Sequence, residues 1–99
     1  MNPIYAEYDY IFKRFISGAL NTREFQVDFL RQFKNETRSM DEALYSLLED
    51  IFGAADSFTT DSYLLEAEPD FYITERQLRE KVMQASEKIV FLAKQHKDN

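Results

Sequence analysis

Apolar residues recur at three- and four-residue spacing along most of this chain, and that rhythm predicts helices almost throughout. Ile4, Tyr8, Ile11, Phe12, Phe15 and Ile16 fall on one stripe, and Gly18 stands where a left-handed cap residue stops a helix, so a first helix is expected over roughly 4–17. Three signals mark the second start. Asn21 can cap, Glu24 can reach back to complete a capping box, and Leu20 can pack on Phe25 as a hydrophobic staple. Phe25, Phe29 and Phe33 follow at i, i+4 and i+8, with Val27 and Leu30 beside them, predicting a helix over roughly 22–36. The short link between the two implies an antiparallel helical hairpin.

Ser39 with Glu42 offers another capping box, and Met40, Leu44, Leu47, Leu48, Ile51 and Phe52 carry a third helix to about 55–57. Gly53 lies inside it at a cost of about 1 kcal/mol relative to Ala, which points to the close approach of another helix. A connection of about fifteen residues follows, from Phe58 to Phe71 or Tyr72, where two to eight is usual in a small bundle. Ile73, Thr74, Gln77 and Leu78 then repeat the full start signature, and Leu78, Val82, Ala85, Ile89 and Leu92 mark a last helix over roughly 75–95. Four helices with one apolar face each are buried together in a bundle. The expected architecture is all-α: a single-domain antiparallel four-helix bundle spanning 1–99, with a long acidic connection between helices three and four.

Charge changes the picture more than composition does. Between Ser39 and Glu75 stand ten acidic residues and no Lys or Arg, while the flanks carry a net +4, so the overall −6 hides a −10 middle. Segregated charge repels itself within the fold, and its simplest use is a cationic partner. The same charge opposes direct binding to nucleic acid or anionic lipid. Arg23, Arg31, Lys34 and Arg38 gather near the second helix, but Asp28 and Glu36 offset them and no nucleic-acid-reading signature accompanies them.

Composition excludes several chemistries. The 99 residues, with nine Phe and six Tyr, suffice for one core. Absence of Cys removes disulfides and thiolate sites, and the single His96, in a charged terminus, builds no histidine cluster. Residues 56–70 lack the glycine and spacing of a calcium loop, so no metal or other cofactor is expected. Glu49 with Asp50, and Asp41 with Glu42, are sequence neighbours pointing about 100° apart on a helix, a poor start for carboxylate-pair catalysis. The longest apolar run, Ile89 to Ala93, is far short of the roughly 20 residues of a membrane span. With no charged-then-apolar leader at Met1-Asn2-Pro3, the expected location is cytoplasmic.

Aromatic residues interleave with the acids at Phe58, Tyr63, Phe71 and Tyr72. Phe58 and Phe71, at the ends of adjoining helices, are expected in the core, and Tyr63 outside it, where tyrosine suits an interface centre. The expected contact set is Asp56, Asp61, Tyr63, Glu66, Glu68 and Asp70, with Glu49 and Asp50 at its edge.

The order of segments resembles a known family. A helix ending Phe15-Ile16-Ser17-Gly18, the NTREF run at 21–25, LYSLLEDIFGAADSF at 44–58, an acidic link and FYITERQLREKV at 71–82 are together similar to the colicin D-type immunity proteins, also described as bacterial self-protective colicin-like immunity proteins. The likeness covers roughly 12–90. It implies a small helical bundle that binds the toxic nuclease domain of a bacteriocin or contact-dependent toxin made by the same cell. Colicin D cleaves the anticodon loop of a transfer RNA, and its immunity protein is an acidic cover for a basic active site. By that likeness the chain is expected to be a non-enzymatic inhibitor, a monomer in a 1:1 complex with a basic toxin domain. Two rival readings share the residues: an acidic helical adaptor or regulatory subunit docking on a basic protein, and a small enzyme with an acid-lined pocket.

Overall fold

Caps written in the sequence set the helix ends. In the computed structural model, which describes residues 2–95, α1 (Pro3–Ile16) opens on Asn2, whose side chain accepts from the Ile4 N–H at 3.0 Å. Proline fills its first position, where a missing N–H leaves no bond unmade. Gly18, at φ +88°, ends it in the left-handed region. The Gly18 N–H donates to the Phe15 carbonyl at 3.1 Å and the Leu20 N–H to the Arg14 carbonyl at 3.0 Å. α2 (Thr22–Lys34) has its reciprocal capping box: the Glu24 N–H donates to Asn21 at 2.8 Å and the Asn21 N–H to Glu24 at 2.9 Å. The last helix repeats it, with Thr74 and Gln77 exchanging hydrogen bonds at 2.9 and 3.2 Å.

Three expectations are corrected. α3 (Glu42–Ser57) is capped by Asp41, not Ser39; the Asp41 carboxylate accepts from the Ala43 N–H at 3.0 Å, and its charge also suits the positive helix end. The acidic connection is not a plain loop. It contains α4 (Ser62–Ala67), capped by Asp61, which accepts from the Tyr63 and Leu64 N–H groups at 2.9 and 3.4 Å. Six residues are too few to write a hydrophobic stripe, so the described residues hold five helices, the last being α5 (Glu75–Gln95). Gly53 receives no neighbouring helix: a Cβ built there meets nothing within 4 Å. His96 lies outside the described residues.

Ring contacts give the packing direction. Phe15 stacks on Phe25 with centroids 4.5 Å apart, Phe12 on Phe29 at 5.9 Å, and Tyr8 meets Phe33 edge-on at 6.5 Å. Numbers fall along α1 as they rise along α2, so the pair is an antiparallel hairpin. Gln26 reaches the Ala55 carbonyl at 2.8 Å while Phe33 lies against Phe52 and Tyr45, which runs α3 back along α2. α5 closes the arrangement by packing on both α1 and α3. Tyr8, Phe12, Phe15, Phe25 and Phe29 are fully buried, together with Leu44, Leu48, Ile51, Leu78, Val82 and Ile89. Each large side chain so buried contributes about 1.5–3 kcal/mol, and the paired rings add a further fraction.

Polar locks fix the register of the outer contacts. Asp9, 5% exposed, accepts from Ser86 of α5 at 2.9 Å and from Lys13 at 2.6 Å, which pairs a carboxylate that would be costly to bury alone. Arg79 lies over the Phe15 ring at 4.5 Å and donates to the Phe15 carbonyl at 3.1 Å, placing a cation at the negative end of α1. Thr22 donates to Glu75, tying together the starts of α2 and α5.

Candidate functional site

Residues 59–72 form an excursion pinched at its base. Phe58 and Ile73 pair as an isolated parallel bridge, the Thr59 N–H donating to the Ile73 carbonyl at 3.2 Å and the Ile73 N–H to the Ser57 carbonyl at 3.0 Å. Both side chains pack on the edge of the core and anchor the pinch. Beyond it the hydrogen bonds are local. Asp61 caps α4, the Glu68 N–H returns to Leu64 at 2.9 Å, and the Glu68 carbonyl accepts from Phe71 and Tyr72 at 3.1 and 3.0 Å. No residue of α4 is buried. Asp61, Tyr63, Glu66, Glu68 and Asp70 are all exposed, Tyr63 to 73%.

Asp56, near the end of α3, is exposed as well, and so are Glu49 and Asp50 two turns earlier. No Lys or Arg among the described residues comes within 4 Å of Glu49, Asp50, Asp56, Asp61, Glu66, Glu68 or Asp70. The ion pairs lie elsewhere, on α1, α2 with its exit, and α5. The arginines of the outer helices therefore leave this segment's field uncancelled at contact range. Glu49 accepts from the Tyr45 hydroxyl, and that bond first, then the carboxylate's charge, holds Tyr45 above the usual tyrosine pKa.

An open groove runs between the acids of α3 and the far end of the excursion. Glu49, Asp50 and Gly53 of α3 border it together with Phe71 and Ile73 from the far end of the excursion. Phe71 was expected in the core and is instead 57% exposed, its ring edge-on to Tyr72 with centroids 4.8 Å apart. The pinch at Ile73 takes the core position and leaves Phe71 on the rim. Phe58 is half-buried against the core, as its place at a helix end implied. Sequence reasoning missed two cations at this site. Lys81 borders the groove, and Lys81 and Lys88 both face Asp50 in a second groove between α3 and α5. Their seven-residue spacing puts them on one face of α5, the signal that pairs them with α3.

Among the described residues no group of three or more His, Cys, Asp or Glu side chains is placed to hold a metal ion, and no helix is long and apolar enough to cross a membrane. The basic residues near α2 do not act together. Arg38 is held by Glu36 and Glu7, Lys34 lies over the Phe52 ring at 5.9 Å, and Arg31 faces Asp28 at 4.0 Å.

No curated protein and no solved structure matches this chain. The family described as bacterial self-protective colicin-like immunity matches it over residues 4–89. That span takes in α1 through most of α5, including the whole acidic excursion, and the chain belongs to this family.

Proposed function

We propose that this member of the immunity family protects its own cell by binding a nuclease toxin and covering the toxin's basic active site with the acidic surface of α3 and α4. The observation that carries this reading is the segment from Ser39 to Glu75, without a base in sequence and with seven carboxylates beyond 4 Å of any Lys or Arg among the described residues. A domain that cleaves RNA must hold a polyanion, so its cleft is lined with Lys and Arg. Carboxylates on an exposed excursion can occupy that cleft as phosphate mimics. Complementary fields raise the encounter rate toward about 10⁸–10⁹ M⁻¹s⁻¹ at low salt. The colicin D-type subclass, a tRNA-directed nuclease, a 1:1 complex and action in the cytoplasm complete the proposal. Catalysis by the chain forms no part of it; the mechanism is occlusion.

Of the eight contact residues proposed, Asp61 caps α4, Tyr63 and Glu66 lie on it, Glu68 and Asp70 follow it, and Asp56, Glu49 and Asp50 extend the surface along α3. Tyr63 is the candidate anchor, since a large exposed ring with a hydroxyl concentrates binding energy while rim charges contribute little each. Co-expression tests the function: the toxin domain encoded immediately upstream should kill cells, and this chain should rescue them. A lethal domain that this chain does not neutralise removes the proposal. Combined Glu66→Lys, Glu68→Lys and Asp70→Lys, which spares the Asp61 cap of α4, should leave the unfolding midpoint almost unchanged, since exposed substitutions away from caps rarely move stability by more than about 0.5 kcal/mol. The same variant should lose most toxin affinity and most of its salt dependence. Unchanged affinity moves the interface to another face.

A further inference from the structure

Gly53 is the residue whose presence packing does not explain. It stands inside α3, where glycine weakens a helix, yet no neighbour fills the space its missing side chain leaves. Its effect is on the groove between α3 and the excursion. That groove is open to solvent and offers about 560 Å³, lined by Glu49, Asp50, Gly53, Ala54, Phe71, Ile73 and Lys81 among others. Any side chain at position 53 projects into this space.

We infer that the groove is the seat of one arginine side chain of the toxin, its guanidinium paired with Glu49 and its face lying on Phe71. This inference rests on the toxin-binding reading above. Three features select arginine. Among the described residues Glu49 and Asp50 form no ion pair within 4 Å, so charge complementarity asks for a positive group. Phe71 offers an exposed ring beside them, and a guanidinium stacks on an aromatic face as well as forking onto a carboxylate, which an ammonium does not. Gly53 adds no side chain to the lining and the space above it is free, so a long stem can lie along it. Lys81 also borders the groove and Lys88 shares a second groove with it and Asp50; both repel a cation from the α5 side, which favours a seat between Glu49 and Phe71.

Calorimetric titration of the whole chain with a catalytically inactivated form of the toxin domain encoded immediately upstream tests the seat. Gly53→Leu fills that space and should weaken binding by about tenfold or more, while helicity and the unfolding midpoint do not fall. Phe71→Ala, at an exposed ring, should weaken it by several-fold and decides the matter if Gly53→Leu does not fold. Ala43→Leu, exposed at the start of the same helix, should bind as the unsubstituted chain does. The occupant is identified by scanning toxin arginines to alanine: one of them should lose affinity for the unsubstituted chain and lose almost none for Gly53→Leu. Full affinity of both Gly53→Leu and Phe71→Ala overturns the groove and leaves toxin binding standing. Failure of every arginine to couple with Gly53→Leu overturns the choice of occupant. No binding by the unsubstituted chain overturns the toxin reading, and this inference with it.

Discussion

Replacing Glu36 with Gln tests the densest polar junction in the fold. The carboxylate is 8% exposed and accepts from the Tyr8 hydroxyl at 2.8 Å, from Arg38 Nε and Nη2 at 2.8 and 2.9 Å, and from the Arg38 backbone N–H at 3.0 Å. Arg38 continues to Glu7 at 2.6 Å, so α1 and the segment after α2 are joined through one side chain. The Arg38 hydrogen bonds first, with help from Tyr8 and against the cost of burial, hold the Glu36 pKa down at about 2. An unfolded glutamate titrates near 4.3. As pH falls through the interval between them the unfolded chain takes up a proton that the native carboxylate refuses, so stability falls. The contribution is fully present above about pH 5 and gone below about pH 2. The gap corresponds to about 3 kcal/mol, and because Arg38 is 43% exposed and solvent screens it, about 1–2 kcal/mol is expected. Glu36→Gln removes the charge and turns an amide N–H toward donors. Urea unfolding at neutral pH should therefore place the variant about 1–2 kcal/mol below the unsubstituted chain, with the difference shrinking toward zero near pH 2. All other carboxylates titrate in both chains, so the difference isolates this one. A difference that does not change with pH refutes the assignment.

Gly53→Ala should raise stability by about 1 kcal/mol, read as a higher urea midpoint at unchanged slope, because the position is helical and a Cβ meets nothing. Arg79→Ala should cost about 1–2 kcal/mol, since it strips the cation from the Phe15 face and a donor from the carbonyls ending α1. Arg79→Lys should recover less than half of that in the same titration, because an ammonium cannot stack and donate at once. Replacing residues 60–71 with a short Gly/Ser linker should leave one cooperative thermal transition and abolish toxin binding, since no residue of α4 contributes to the buried core.

Local stereochemistry and periodicity made most of the fold legible. Asn21 with Glu24 and Thr74 with Gln77 are capping boxes that need only three residues of context, and both formed. Phe25, Phe29 and Phe33 announced a helix face whose rings do stack on one another and on α1. What stayed hidden depended on distance along the chain or on short length. Asp41 displaced Ser39 as a cap because both residue types fit and spacing alone did not rank them. α4 spans under two turns, below the length at which a stripe can be recognised. Phe71 looked like a core residue, but the pinch at Phe58 and Ile73, a contact between residues fifteen apart, gave the core place to Ile73. Lys81 and Lys88 entered the site only because α5 packs on α3.

The separation of the two parts of this molecule has an electrostatic reason. Like charges placed on core-bearing helices would oppose every contact that closes the core, because repulsion among partly buried groups is weakly screened. Here four of the seven carboxylates, Asp61, Glu66, Glu68 and Asp70, lie on an excursion that buries none of α4's side chains and makes its hydrogen bonds within itself, joined to the core at one bridge, while Glu49, Asp50 and Asp56 stand on the exposed face of α3. Their repulsion acts through solvent and strains the excursion more than the aromatic core. The proposed basic partner would relieve that repulsion on contact, so that part of the work of assembling the field would reappear as affinity. The same logic predicts where sequence change is tolerated: substitutions in residues 60–71 retune the partner at nearly constant stability, whereas Phe12, Phe25 and Phe29, fully buried and mutually packed, admit almost none.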